Sequence, residues 1–150
     1  MATETERKFL VRDTSILTGR SGRRLVQGYL GTEPATSRVR IAGDDAFLTI
    51  KGPPKGISCG EWEYPIPRSD AEEMLAIPGV RIIEKTRYEI AVGERTFEVD
   101  VFHGKHAGLV LAEVELPDER TPVAIPEWIG EEVSGNRKYT NAYLALQGGD

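Results

Sequence analysis

Hydrophobic and polar residues alternate with a period of two along most of the chain, as they do in strands that bury one face. Turn signals such as AGDD, KGPPKG, VGER and FHGKHAG separate the alternating runs. The pattern predicts strands at 3–11, 24–30, 35–42, 46–52, 60–66, 80–92, 95–102 and 108–116. Many short strands joined by tight turns are typical of an antiparallel sheet or barrel rather than of βαβ units.

Two short segments instead show the spacing of helices. In SDAEEMLAIPG, Ser69 is the expected N-cap, Glu72 completes a capping box, and the following Pro-Gly ends the helix. In YTNAYLALQ, the apolar stripe consists of Tyr139, Ala142, Tyr143 and Leu146. The proline-rich segment LPDERTPVAIPEWIG is expected to form a loop or short helical turns.

Composition restricts the classes of function. The 150 residues are 39% hydrophobic and carry a net charge of −5, which fits one globular domain over residues 1–150. The net negative charge argues against a surface that coats nucleic acid or an anionic membrane, so we expect neither as a partner. The single cysteine, a charged N-terminus and the lack of any run of ~20 apolar residues predict a cytoplasmic protein.

The second face of nearly every predicted strand is charged, and the charges are sorted by sign. The acidic pairs are Glu4/Glu6, Glu61/Glu63, Glu98/Asp100 and Glu113/Glu115; the basic residues are Arg38/Arg40, Lys85/Arg87, Lys8 and Lys51. A solvated sheet face with cross-strand ion pairs is one interpretation. That face does not require sorting by strand, so we favour a barrel or deep cup with a charged interior, whose apolar faces pack outward against helices and loops.

Both signs of charge in one cavity favour a particular chemistry. Clustered carboxylates bind hard divalent cations such as Mg²⁺ or Mn²⁺, and without a cation they repel one another and some become protonated. Clustered Arg and Lys side chains bind phosphates. A polyphosphate bridged to a metal requires both sets, as in metal-assisted phosphoryl transfer.

The ordered set of motifs resembles the CYTH superfamily of triphosphate tunnel metalloenzymes, in particular its short bacterial inorganic triphosphatases. The motifs are ETERK at 4–8, QGYL at 27–30, RVR at 38–40, Lys51, EWE at 61–63, EKTRY at 84–88, DVF at 100–102 and EVE at 113–115. The resemblance implies a mainly β (α+β) fold, a closed antiparallel β-barrel of about eight strands around a charged tunnel with a few short helices outside.

The resemblance also implies residue roles. The metal, Mg²⁺ or Mn²⁺, would be bound by Glu4, Glu6, Asp100, Glu113 and Glu115. The triphosphate would be bound by Lys8, Arg38, Arg40, Lys51, Lys85, Arg87 and Lys138, the last preferred to Arg137. The catalytic residues would be Glu61, Glu63, Lys85 and Tyr29, with the two glutamates assisting at a second metal or at the attacking water. Glu98 is left outside the predicted site.

The implied function is hydrolysis of a linear triphosphate, inorganic tripolyphosphate to pyrophosphate and phosphate, by a metal-activated water. Adenylate cyclases and nucleoside- or thiamine-triphosphatases of the same family share the motifs and stay open as alternatives. A non-catalytic polyphosphate- or nucleotide-binding module is the alternative from another class. The lack of a recognisable base-binding segment favours the small substrate, and a homodimer stays open.

Several other residues are expected to have no part in the chemistry. His103 and His106 lie in a glycine-rich turn and are predicted to belong to an exposed loop. Cys59 is predicted to be an idle thiol, because no histidine is near it in sequence. Trp62 and Trp128 are predicted to pack in the core or against helices.

Overall fold

The computed structural model describes residues 2–147. Its strands are β1 (Thr3–Val11), β2 (Arg23–Gly31), β3 (Thr36–Ala42), β4 (Asp45–Lys51), β5 (Ser58–Pro65), β6 (Arg81–Val92), β7 (Arg95–Phe102), β8 (Val110–Glu115) and β9 (Ile129–Glu132). Its α-helices are α1 (Arg68–Leu75) and α2 (Asn141–Gln147), and 3₁₀ turns cover Thr14–Leu17, Gly104–His106 and Arg137–Tyr139. Neither α-helix within residues 2–147 is long and apolar enough to cross a membrane.

The strands form a closed antiparallel barrel, as predicted. Neighbouring strands follow the order β5-β4-β3-β2-β6-β7-β8-β1, and β1 also pairs with β5, which closes the sheet on itself. The far half of β1 additionally pairs with β9, the strand that the sequence pattern missed. This strand has only four residues and follows a proline-rich segment, so its conformation depends on pairing with β1 more than on its own alternation.

Two apolar clusters cover the outside of the barrel, which confirms that the uncharged strand faces point outward. The first contains Phe9, Phe97 and Val114 and is covered by the segments around Leu17 and Trp128, with the Trp128 ring edge-on to Phe97 at 5.5 Å between centroids. The second contains the outward residues of β3 and β4 under α1. Their burial supplies the hydrophobic stabilisation that a charged interior cannot provide.

The helices were predicted to lie outside the barrel, but α2 covers one end of the barrel interior. Its Leu144 and Ala145 pack on Ile83, Phe102 and Leu111, which share strand faces with the charged residues further along the barrel. Leu146, predicted to be in the apolar stripe, is 49% exposed. The stripe is shifted because the backbone is extended at Thr140, so the α-helical period begins only after it.

Two other local predictions were wrong. Helix α1 begins at Arg68 after Pro67, and no side chain caps it, so Ser69 is not its N-cap. The fixed φ of proline suits the start of a helix and places that start before the predicted capping box. Trp62 is 42% exposed on the outer face of β5, because α1 packs on β3 and β4 instead.

We predict that Gly28→Ala destabilises the barrel because α1 and the start of β6 pack closely on this outward position of β2. A Cβ at Gly28 would lie 2.8 Å from Val80 Cγ1 and would also overlap Leu75. Overpacking of this kind costs about 1–3 kcal/mol, or roughly 2–10 °C in melting temperature for a domain of this size.

The matched control is Gly31→Ala in the same strand, where no atom lies within 4 Å of the added Cβ. Thermal unfolding of both variants tests the packing, and equal melting temperatures for the two would contradict it.

Candidate active site

A cavity of about 690 Å³ fills the barrel and opens beside α2. Every second residue of the strands points into it, since closure of the sheet turns one face of each strand inward. The predicted site residues that line it are Glu4, Glu6, Lys8, Tyr29, Arg38, Arg40, Lys51, Glu61, Glu63, Lys85, Arg87, Glu113 and Glu115. The structure therefore brings nearly the whole predicted set together.

Strand register explains how the charged residues become neighbours. On β1, Glu6 lies opposite Glu115 of β8, and the next inward residue, Lys8, lies opposite Glu113. On the other side of β1, its first residues pair with the beginning of β5, which carries Glu61. Strand β1 thus joins the acidic residues of β8 to those of β5.

Glu6 and Glu113 form the most deeply buried part of the acidic wall. Burial raises the pKa of Glu6 well above its ordinary value, and the nearby Glu113 and Glu4 raise it further. Burial also acts to raise the pKa of Glu113, but Lys8 and a hydrogen bond from Glu6 reverse this and hold it well below its ordinary value. These opposite shifts favour a proton on Glu6 that is shared with an ionised Glu113.

Lys51 links the acidic residues of β1 and β5. Its Nζ lies 2.8 Å from Glu4 Oε1 and 3.6 Å from Glu61 Oε2. Burial opposes the charge of Lys51, but the carboxylate of Glu4 outweighs it and raises the pKa of the ammonium. Burial and the charge of Glu4 likewise raise the pKa of Glu61. These acids are held by a cation of the chain itself.

The donor atoms of the acidic wall are of the kind that bind divalent cations, although the side chains are not arranged around one. Within residues 2–147, no three His, Cys, Asp or Glu side chains are gathered closely enough to hold a metal ion in this arrangement. The donors are nevertheless carboxylate oxygens, which Mg²⁺ and Mn²⁺ prefer. The proton between Glu6 and Glu113, together with the ammonium of Lys51 beside Glu4, supplies positive charge where a bound cation would.

The opposite wall is basic and incompletely paired. Arg38 is 6% exposed and donates through one terminal nitrogen to Thr49 Oγ1 at 3.2 Å and Glu63 Oε2 at 3.3 Å. Its Nε is buried and has no hydrogen-bond partner among the described residues. Burial lowers the pKa of Arg40 to about 10, and the charges of Arg38 and Arg87 contribute to this. This wall therefore has donors and positive charge available for an anion.

Asp100 lies beneath the cavity rather than on its wall, which differs from its predicted role as a metal ligand. Its carboxylate is 2.7 Å from Lys85 Nζ and accepts two hydrogen bonds from Arg87, at 2.8 and 2.9 Å. Both oxygens are thus occupied by cations. Lys85 also donates to Asn141 Oδ1 of α2 at 2.9 Å, and its complete burial lowers its pKa to about 8.

The C-terminal basic residue differs from the prediction. Arg137 lines the cavity, whereas Lys138 is exposed and does not. The two residues occupy successive positions of a 3₁₀ turn and so point in different directions. Sequence order alone could not choose between them.

Histidines and the cysteine also acquire definite positions. His103 and His106 were expected in an exposed loop, but both are half-buried, and neither lines the cavity. His103 Nε2 lies 2.7 Å from Thr86 Oγ1, and His106 Nε2 lies 2.7 Å from the Leu144 carbonyl oxygen. Cys59 lines the cavity, but burial raises the pKa of its thiol, which disfavours the reactive thiolate.

The structure adds cavity residues that the prediction left out. Glu98 lines the wall beside Arg87, with 3.3 Å between Oε2 and Nη1, and its alternation with Asp100 could have indicated this position. Asn141 also lines the cavity, but only because α2 docks across the barrel end. No local pattern signals that contact.

Comparisons with known proteins show the family to which the chain is related. A model of the CYTH domain family matches residues 2–143. An inorganic triphosphatase of Acetivibrio thermocellus is 42% identical over 146 residues, which cover 96% of this chain and 94% of that protein. An inorganic triphosphatase of Nitrosomonas europaea is 39% identical over 154 residues, covering 96% and 97%. A crystal structure of an inorganic triphosphatase matches with a TM-score of 0.68 at 38% identity, over 97% of this chain and 96% of that one.

We predict that Glu6→Gln stabilises the protein at neutral pH when no divalent cation is present. Because the pKa of Glu6 is raised on folding, the native state keeps a proton that the unfolded state releases, and stability falls as the pH rises above the ordinary value of 4.5. The side-chain amide of glutamine can donate a hydrogen bond to Glu113 and does not titrate, so it avoids this loss of stability. Thermal unfolding should show the variant melting above wild type at pH 7, with the difference disappearing below about pH 4, where Glu6 is protonated in both states.

The control is Glu73→Gln on the exposed side of α1, which should change little at either pH. A Glu6→Gln variant that melts at or below wild type at pH 7 would refute the shared proton.

Proposed function

The chain belongs to the CYTH domain family, and on this premise we propose that it is a metal-dependent triphosphatase. The proposed reaction is hydrolysis of inorganic tripolyphosphate to pyrophosphate and phosphate, since the named relatives at 39% and 42% identity are inorganic triphosphatases. We further propose that residues 1–150 act as one domain and that a small-molecule triphosphate is the ligand. The cytoplasmic location stays a prediction from composition.

The observation that carries the proposal is a basic wall and an acidic wall in one cavity, with Arg40 on the basic wall forming no ion pair with any described residue. Arg38 keeps a buried Nε without a partner among the described residues, and Arg40 has a pKa lowered by burial and by its basic neighbours. A polyanion in the cavity would supply negative charge beside both residues, because guanidinium groups match phosphate oxygens in shape and charge. A solvated sheet surface would not bury an unpaired guanidinium nitrogen.

The residues proposed to hold the triphosphate follow the basic wall. They are Lys8, Arg38, Arg40, Lys51, Lys85 and Arg87, with Arg137 at the mouth in place of Lys138. Lys85 and Arg87 line the cavity, and Asp100 holds both of them from beneath. We therefore assign Asp100 a supporting role and do not retain it as a metal ligand.

The residues proposed to hold the cation are Glu4, Glu6, Glu113 and Glu115. When bound, a divalent cation neutralises phosphate oxygens and polarises the phosphoryl group. The Mg²⁺ and Mn²⁺ preference follows from the oxygen-only donor set. The proton on Glu6 has to leave when the cation binds, so binding should weaken as the pH falls.

The catalytic roles are proposed from position and protonation. Glu61 and Glu63 stand on β5 between the two walls, where carboxylates can accept hydrogen bonds from an attacking water and orient it. The raised pKa of Glu61 improves its capacity to accept a proton. Lys85 and Tyr29 also line the cavity and would donate hydrogen bonds to phosphate oxygens as negative charge develops.

Phosphate release from tripolyphosphate tests the function. We predict that it requires Mg²⁺ or Mn²⁺ and that Glu113→Gln lowers kcat by about a hundredfold or more, because the isosteric change removes a main source of cation binding. Glu73→Gln on α1 is the control and should match wild type. Full activity in excess chelator would refute the metal-dependent mechanism.

The same assay with ATP separates the alternatives within the family. Tripolyphosphate should be the better substrate, and chromatography should show no major cyclic AMP product. Cyclic AMP and pyrophosphate as main products from ATP would move the assignment to a cyclase.

A further inference from the structure

Gln27 of β2 is completely buried and contacts two residues of the candidate active site. Its Oε1 accepts a hydrogen bond from Arg40 Nε at 2.8 Å, and its Nε2 donates to Tyr29 Oη at 3.0 Å. Arg40 and Tyr29 both line the cavity, whereas Gln27 stands behind them. One amide thus bridges a basic residue and a hydroxyl of the site.

The chemistry of Arg40 fixes the orientation of this amide. A guanidinium only donates hydrogen bonds, so the amide oxygen has to face Arg40 and the amide nitrogen has to face Tyr29. Tyr29 Oη therefore accepts from Gln27, and its own hydrogen is left for another acceptor. Tyr29 is 6% exposed and lines the cavity, so a group bound there could accept this hydrogen.

We infer that Gln27 is a positioning residue that makes Tyr29 a hydrogen-bond donor to a phosphate oxygen of the bound triphosphate. By occupying Arg40 Nε, the same amide also leaves the two terminal nitrogens of Arg40 to bind phosphate. The inference rests on the proposed triphosphatase activity. Gln27 itself does not reach the substrate, and it acts through the direction of two hydrogen bonds.

Two substitutions of Gln27 separate these effects. Gln27→Glu keeps the side-chain shape and still accepts the hydrogen bond from Arg40. Its carboxylate, which is charged beside Arg40, cannot donate a hydrogen bond. It therefore accepts one from the Tyr29 hydroxyl, whose hydrogen is then no longer available to the substrate. We expect kcat for tripolyphosphate to fall about tenfold to a hundredfold, with KM within about threefold of wild type. Gln27→Met removes both hydrogen bonds, leaves the Tyr29 hydrogen free and releases Arg40, so KM should rise more than kcat falls.

A double-mutant cycle with Tyr29→Phe provides the decisive readout. In the wild-type background, Tyr29→Phe should lower kcat by about as much as Gln27→Glu does, because both remove the same donated hydrogen bond. In the Gln27→Glu background it should have almost no further effect. Thermal unfolding of every variant shows whether losses in kcat simply follow losses in stability.

The outcomes distinguish the positioning role from the function on which it rests. A non-additive cycle, with KM preserved in Gln27→Glu and raised in Gln27→Met, supports the inference. If wild type is active but the two substitutions have additive effects, the positioning role is overturned and the proposed function stands. The same holds if the kcat values simply follow the melting temperatures. A wild type without tripolyphosphatase activity would overturn both.

Discussion

Charge enclosed in a closed barrel has to be compensated, and this constraint organises the rest of the molecule. Removing an ion from water costs several kcal/mol unless an opposite charge and hydrogen bonds replace the solvent. Beneath the cavity, Asp100 binds Lys85 and Arg87 together, so one negative charge stands against two positive ones. On the basic wall, Arg40 forms no ion pair with any described residue, and on the acidic wall the raised pKa of Glu6 favours its protonated form. The excess of positive charge on the basic side gives the cavity its capacity for an anionic ligand.

The fold can hold such an interior because its hydrophobic stabilisation lies elsewhere. The outward faces of β1, β7 and β8 pack under the segments that surround them, and those of β3 and β4 pack under α1. Helix α2 packs on the apolar end of the interior, and Asn141 at the start of this helix accepts a hydrogen bond from Lys85. Docking of α2 is therefore connected with the position of a proposed catalytic lysine.

Local alternation was enough to predict the barrel strands and their inward residues, because a period of two assigns each side chain to one face whatever the neighbouring strand is. It even placed Glu98 on the charged face, although the residue was left out of the site. Contacts between distant segments had no such local signal. Strand β9 forms by pairing with β1, and Asn141 reaches the cavity because of where α2 packs. Whether Arg137 or Lys138 lines the cavity depends on the direction of one 3₁₀ turn. Closure of the sheet into a barrel was implied by the family resemblance and not by periodicity, and the pairing of β1 with β5 that closes it is seen only in the structure.

Ligand-induced stabilisation tests the central claim, that the interior is charged in order to hold a triphosphate. Thermal unfolding is measured with tripolyphosphate and Ca²⁺, a metal chosen not to support turnover, against orthophosphate at equal ionic strength. At about a hundredfold excess over Kd, a ligand of the native state adds about 2.7 kcal/mol, or roughly 5–10 °C here. We expect that shift for wild type and for Arg24→Met, whose side chain is on the outer surface, and a much smaller one for Arg38→Met. If tripolyphosphate shifts the melting temperature no more than orthophosphate does, the charged interior is not a triphosphate site.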